Sequence, residues 1–179
     1  LYQRLIEGLA DLPLQVIAAA PPKYFAEAPV HWIIQDRVPQ LQLLGYMDVV
    51  FCHGGHNTTM EALTFGLPLV IAPIRDDQPV IAEQVKAVGA GQRVHFSRVK
   101  PSQLRIVIEN ALNDPKYREV ARSIRNDLLP LSSLDPPPSL DCYPVQSPKR
   151  LGAYRAMEVI SDHLTRLGVG SETNTPHLS

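Results

Sequence analysis

The sequence predicts an α/β protein, a parallel sheet with helices on both faces. Three observations carry this. Short apolar runs alternate with amphipathic stretches from Leu1 to Leu129. The runs are apolar throughout rather than at every second residue, which suits strands covered on both sides. Proline and glycine punctuate the chain where helices start and stop.

The elements follow in order. Leu1, Leu5, Ile6, Leu9 and Leu12 recur at helical spacing. The chain is expected to begin in an amphipathic helix, without the first strand that would precede it. Leu14 to Ala20 reads as a buried strand, stopped by Pro21-Pro22. Val30 to Ile34 is the second strand, with Trp32 packed in the core. Pro39 starts a short helix through Gly45. A strand from Asp48 to Cys52, a helix from Thr58 to Phe65 closed by Gly66, and a strand from Leu69 to Ala72 come next. Pro79 opens a helix through Val80, Ile81, Val85 and Val88 that ends near Gly89. Gln92 to Phe96 is the last strand, and Pro101 to Leu112 an amphipathic helix. Asp114 caps a final helix that has Pro115 in first position and runs to Leu129. Strand–helix alternation of this kind is Rossmann-like.

The pattern breaks after Leu129. Residues 130–150 hold Pro130, Pro136, Pro137, Pro138, Pro144 and Pro148, too many for helix or central strand. The division expected is a domain over 1–129, an irregular insertion over 130–150, a C-terminal helix of the same domain over 151–167, and a loose tail over 168–179.

Composition narrows the partners. A net charge of −1 argues against nucleic acid. No apolar run approaches a membrane span, so stable membrane insertion is not expected. The two cysteines, Cys52 and Cys142, form no motif, which suits a cytoplasmic protein with free thiols. Cys52, His53 and His56 lack a fourth partner in sequence and are not read as a metal site.

The chemistry concentrates between Phe51 and Gln78. A strand runs into His53-Gly54-Gly55, and a helix follows. The glycines let backbone approach a ligand, and the helix start offers free N–H groups and positive potential to an anion. Asn57, Thr58 and Thr59 add hydroxyl and amide groups there. Glu61 lies one helical turn after Asn57, so the two face one crevice. A carboxylate so placed suits vicinal hydroxyls of a ribose. Asp77 and Gln78 follow the next strand, beside the first one's C-terminal end, where parallel sheets bind ligands. The residues alone describe a site for an anionic ligand that carries a polyol.

The order of these elements resembles the nucleotide-sugar signature of family 1 glycosyltransferases, the UDP-glycosyltransferases of GT-B fold. The matching residues are Pro39-Gln40, His53-Gly54-Gly55-His56-Asn57-Thr58-Thr59-Met60-Glu61, Gly66-Leu67-Pro68 and Asp77-Gln78. The spacing from Gln40 to His53 is similar to that of bacterial and fungal members. The resemblance implies the C-terminal, donor-binding half of a GT-B fold. It implies that His53, Gly54, Gly55, Asn57 and Thr58 hold the diphosphate. Arg37, Val38, Gln40 and Glu61 would hold the nucleoside, with Val38 backbone at the base edge. Asp77 and Gln78 would hold the sugar, and no metal or other cofactor is required. The donor would be a UDP-sugar or TDP-sugar, the acceptor a small lipophilic molecule with a hydroxyl group, and the reaction an inverting hexosyl transfer.

Two departures bear on this. Arg37 stands where the family usually has an aromatic residue to stack on the base. A guanidinium also stacks on a flat base. The acceptor-binding half, which carries the catalytic base, has no counterpart in the sequence, so no catalytic residue is assigned. Two further readings stay open: a non-catalytic nucleotide-sugar-binding subunit that needs a separate acceptor-domain partner, and an inactive truncated fragment. A nucleotide-sugar epimerase is a weaker fourth.

Overall fold

The computed structural model describes residues 1–128; the expectations for the insertion, the C-terminal helix and the tail lie outside them. The chain opens with helix α1 (Tyr2–Leu9) and strand β1 (Ile17–Ala19). A 3₁₀ turn (Pro22–Phe25), strand β2 (Ile33–Gln35) and helix α2 (Gln40–Leu44) follow. Then come β3 (Val50–Cys52), α3 (His56–Thr64), β4 (Leu69–Ile71), α4 (Gln78–Ala87) and β5 (Gly91–Arg93). Helices α5 (Pro101–Asn113) and α6 (Pro115–Leu128) complete the described part.

Every pairing is parallel, as the apolar runs predict. β1 pairs with β2, Ile17 opposite Ile33. β3, β4 and β5 form a second sheet in that order, with Phe51 opposite Val70 and Val70 opposite Gln92. Among the described residues the sheet therefore comes in two pieces that exchange no strand pairing. They share a core nonetheless: Ala20 and Trp32 from the first piece and Val70, Ala72 and Val94 from the second pack with Ile6 and Leu9 of α1 and Leu104 and Ile108 of α5. The chain crosses from one piece to the other through α2. β3 is the edge strand of its piece, and the C-terminal ends of parallel strands are the usual ligand side of such sheets.

Strand alternation sorts the side chains of β4 to two faces. Val70 meets the α1–α5 layer; Leu69 and Ile71 meet Ala62 and Leu63 of α3, Ala82 and Val85 of α4 and Ala121 of α6. All three β4 residues are inaccessible to solvent, as an unbroken apolar run between two helical layers requires.

Several boundaries differ from the sequence expectation. The second strand starts at Ile33, not Val30, because the Trp32 N–H bonds back to the Pro29 carbonyl at 2.9 Å and makes a turn. Trp32 is buried against Phe25 all the same, edge to face at 6.4 Å. The last strand ends at Arg93, because His95 accepts hydrogen bonds from the Arg98 and Val99 N–H groups and bends the chain. α3 starts at His56, two residues early, because Gly55 already has the extended backbone of an N-cap. Gly66 ends that helix at φ +67°, and Asp114 accepts from the Lys116 N–H at 3.0 Å at the head of α6, both as expected. Among the described residues no helix is long and apolar enough to cross a membrane.

Candidate functional site

The site is built on the β3–α3 turn. Gly54 adopts φ +85°, a left-handed conformation. A Cβ there would stand 2.7 Å from Ile71 Cγ2 and 3.4 Å from the Gln78 carbonyl oxygen. Glycine is therefore required twice over, by backbone and by space. The same contact sets the turn directly against the start of α4. Gly55 has ordinary extended backbone, and its α-carbon faces the His53 ring: a Cβ would lie 2.7 Å from His53 Nε2. The imidazole thus lies against Gly55 at the mouth of α3.

No side chain caps α3. The Thr59 N–H makes the first intrahelical bond, to Gly55 at 3.0 Å, so the His56, Asn57 and Thr58 N–H groups precede the helical ladder. With the helix dipole behind them, these three donors suit an anion. Asn57 and Thr58 lie in the first turn of the helix rather than at its cap, so their side chains flank the free N–H groups instead of satisfying them.

Gln40, at the head of α2, donates through Nε2 to Glu61 Oε2 at 2.6 Å. This brings the two halves of the sequence-predicted nucleoside site together. Arg37 and Val38 occupy the loop just before α2; Arg37 is exposed and has no ion pair among the described residues.

The loop after β4 is closed by Gln78. Its Oε1 accepts from the Ile74 N–H at 2.9 Å and the Arg75 N–H at 3.2 Å, and the residue is buried. Its oxygen is committed to the loop, a role that the sequence reading did not give it. Asp77 is exposed and makes no capping bond for α4. Asp76, next to Asp77, sits at φ +55° and pairs with Arg75 at 3.4 Å on the surface.

Thr59 was expected to add its hydroxyl to the site beside Asn57 and Thr58, but it is only 3% exposed and lies behind the turn with its hydroxyl unpartnered, because it falls on the buried face of α3. It precedes Ala62 and Leu63 at helical spacing, which was the available signal for the buried face. Burial pushes the neighbouring Cys52 thiol above its ordinary value; a backbone bond at Gly54 and the Thr59 hydroxyl offset part of the rise. The Thr59 hydroxyl interacts with that sulfur without hydrogen-bond geometry, so it supports the thiol only weakly. Among the described residues no group of three His, Cys, Asp or Glu side chains is arranged to hold a metal ion.

The chain is similar to known glycosyltransferases. The sequence profile described as "Erythromycin biosynthesis protein CIII-like, C-terminal domain" matches residues 3–138. NDP-glycosyltransferase YjiC of Bacillus licheniformis is 34% identical over 118 residues, covering 64% of this chain and 30% of that protein. The uncharacterized UDP-glucosyltransferase YojK of Bacillus subtilis is 37% identical over 102 residues, 57% of this chain and 25% of that protein. Among solved structures, the glycotransferase of kitacinnamycin superposes with a TM-score of 0.63 at 32% identity, over 71% of this chain and 34% of that one. Glycosyltransferase VinC, in complex with DTDP, gives a TM-score of 0.65 at 25% identity over 69% of this chain and 32% of that one. The chain spans a third or less of the length of these curated relatives. The expected fold, the C-terminal half of a GT-B glycosyltransferase, is borne out.

Proposed function

Because the chain belongs to the erythromycin biosynthesis protein CIII-like C-terminal domain family, we propose that it holds the nucleoside diphosphate sugar in an inverting glycosyl transfer. The observation that carries this is the uncapped start of α3 one helical turn from Glu61, whose carboxylate Gln40 holds in place. The first gives a diphosphate its donors, the second gives a ribose its acceptor. DTDP in VinC and UDP in Os79 of O. sativa are ligands of the same chemical class.

In this reading His53 and the N–H groups of His56, Asn57 and Thr58 take the diphosphate over Gly54-Gly55. Glu61 accepts from the ribose hydroxyls. Arg37 stacks on the base, and Val38 backbone meets its edge. Asp77 accepts from sugar hydroxyls; Gln78 holds the loop that carries Asp77 and offers its NH₂ to the sugar. As the anomeric bond to phosphate breaks, negative charge grows on the leaving diphosphate. Pre-oriented N–H groups and His53 stabilise that charge without a metal ion. The transferred group is a hexose and the acceptor a small lipophilic alcohol. The base that removes the acceptor's proton belongs to an acceptor-binding domain outside these residues.

Calorimetry with UDP, TDP and UDP-glucose tests the donor site. Saturable 1:1 binding that His53→Ala and Glu61→Ala each weaken is expected. A folded chain that takes up none of the three overturns the reading.

A further inference from the structure

The loop after β4 is held by one buried side chain. Ile74, Arg75, Asp76 and Asp77 are all exposed, between buried Ala72 and buried Gln78. The Ile74 and Arg75 N–H groups donate to Gln78 Oε1 at 2.9 and 3.2 Å, and the Gln78 N–H donates back to the Arg75 carbonyl at 3.2 Å. Among the described residues the other hydrogen bonds into the loop come from the Val80 and Ile81 N–H groups of α4, both to the Asp77 carbonyl. The loop has no apolar anchor of its own, since Ile74 is 55% exposed. Asp76 nevertheless keeps φ +55°, a conformation that a residue with a side chain holds only when its surroundings impose it. The shape of the loop is therefore set by the Gln78 side chain and the head of α4.

Gln78 also meets the β3–α3 turn. A Cβ on Gly54 would stand 3.4 Å from the Gln78 carbonyl oxygen and 3.8 Å from Gln78 Cβ, with Ile71 Cγ2 nearer still. No atom of residues 73–77 is among these nearest neighbours. Gly54 therefore reaches the exposed loop through Gln78. One residue bears on the turn with its backbone and on the loop with its side-chain oxygen.

We propose that Gln78 is a positioning residue that couples the two ends of the donor site: a diphosphate settling on the Gly54 turn also orders the loop that carries Asp77. This rests on the donor reading given above. The oxygen of Gln78 carries the coupling, because it accepts both loop N–H groups. A glutamate can take over that role. Two N–H donors already face the position, and Gln78 is the first residue of α4, where the helix dipole favours negative charge. Methionine has similar length but no strong acceptor.

The test is amide hydrogen exchange, followed by NMR on the full 179-residue chain with and without saturating UDP. UDP carries the diphosphate but no sugar, so an effect on the loop has to be transmitted. The Ile74 and Arg75 amides should exchange at least about fivefold more slowly with UDP bound. Gln78→Glu should keep this slowing; in Gln78→Met both amides should exchange fast with or without UDP. By calorimetry, the preference for UDP-glucose over UDP should fall further in Gln78→Met than in Gln78→Glu. The unsubstituted chain and Gln78→Glu carry the test if Gln78→Met does not fold. UDP that binds without slowing the two amides overturns the coupling. So does UDP that slows them equally in Gln78→Met, since the ligand then acts on the loop directly. Equal loss of sugar preference in both variants makes Gln78 a plain sugar ligand and overturns the positioning role. A folded chain that does not bind UDP overturns the donor reading and this proposal with it.

Discussion

The Gln40 side-chain amide donates to Glu61 Oε2 at 2.6 Å and ties the head of α2 to the second turn of α3, 21 residues apart in sequence. One carboxylate oxygen is engaged, and the rotamer of the other is fixed by the same bond. Loss of either residue should therefore be felt at the nucleoside, but unequally. Glu61→Ala removes the carboxylate proposed to accept from the ribose and is expected to weaken UDP about 10- to 100-fold, the range for a hydrogen bond to a charged group. Gln40→Ala leaves the carboxylate free to rotate and should weaken UDP less. Because the two act through one contact, the double variant should lose less than the sum of the singles. Calorimetry of all four chains checks this; strict additivity would remove the orienting role of Gln40.

The two glycines of the turn should fail differently. Gly54→Ala places a methyl group 2.7 Å from Ile71 Cγ2 in a left-handed backbone. Strain and overpacking together should cost about 1–3 kcal/mol, read as a lower urea midpoint. Gly55→Ala keeps its backbone conformation and meets only the end of the His53 ring. Its stability should change by no more than about 0.5 kcal/mol, while diphosphate binding falls as the imidazole is displaced. A Gly55→Ala chain that binds UDP normally would release His53 from its assigned role.

Arg105 donates to both Asp11 carboxylate oxygens, at 2.8 and 2.7 Å, and ties the segment after α1 to α5. This hydrogen bonding, with the guanidinium charge, holds the Asp11 pKa below its ordinary 3.8. A carboxylate depressed in the folded state contributes stability above its unfolded pKa and loses it as pH falls through the folded one. In Arg105→Gln the NMR titration midpoint of Asp11 should move up toward the ordinary value. The stability deficit of that variant should be present near about pH 6 and fade in acid below about pH 3. An unchanged Asp11 midpoint would refute the pairing in solution.

Cys52 offers a probe of the floor of the site. Its thiol is raised by burial at the end of β3. Only the thiolate alkylates, so iodoacetamide should label Cys52 slowly at pH 8 in the folded chain and quickly in urea. Thr59→Val removes the hydroxyl that partly offsets the rise and should slow labelling further. Rapid labelling of Cys52 in the folded chain at pH 8, distinguished from Cys142 by peptide mass mapping, would contradict this burial.

The alternation of apolar runs and amphipathic stretches was enough for the element order. An unbroken run such as Leu69-Val70-Ile71 has no stable place except between two covered faces. Motif spacing also marked His53, Asn57 and Glu61 as one group, because turn geometry and helical periodicity are local. Boundaries were less legible. Where β2 starts depends on the Pro29–Trp32 turn, and where β5 ends depends on His95 accepting two N–H groups. Neither bond leaves a compositional trace.

What the sequence alone determined is the parallel α/β class and the grouping of polar residues around the 51–78 turn, since both follow from short-range patterns. Tertiary structure decided which of those side chains are already engaged by the fold. Gln78 was read as a sugar ligand, yet its oxygen closes the Ile74–Arg75 loop. Gln40 and Glu61 were read as two separate nucleoside contacts, yet they form one hydrogen-bonded unit. The reason is that a side chain's hydrogen bonds go to whatever the packed backbone brings within about 3 Å, and sequence spacing does not encode that distance across elements.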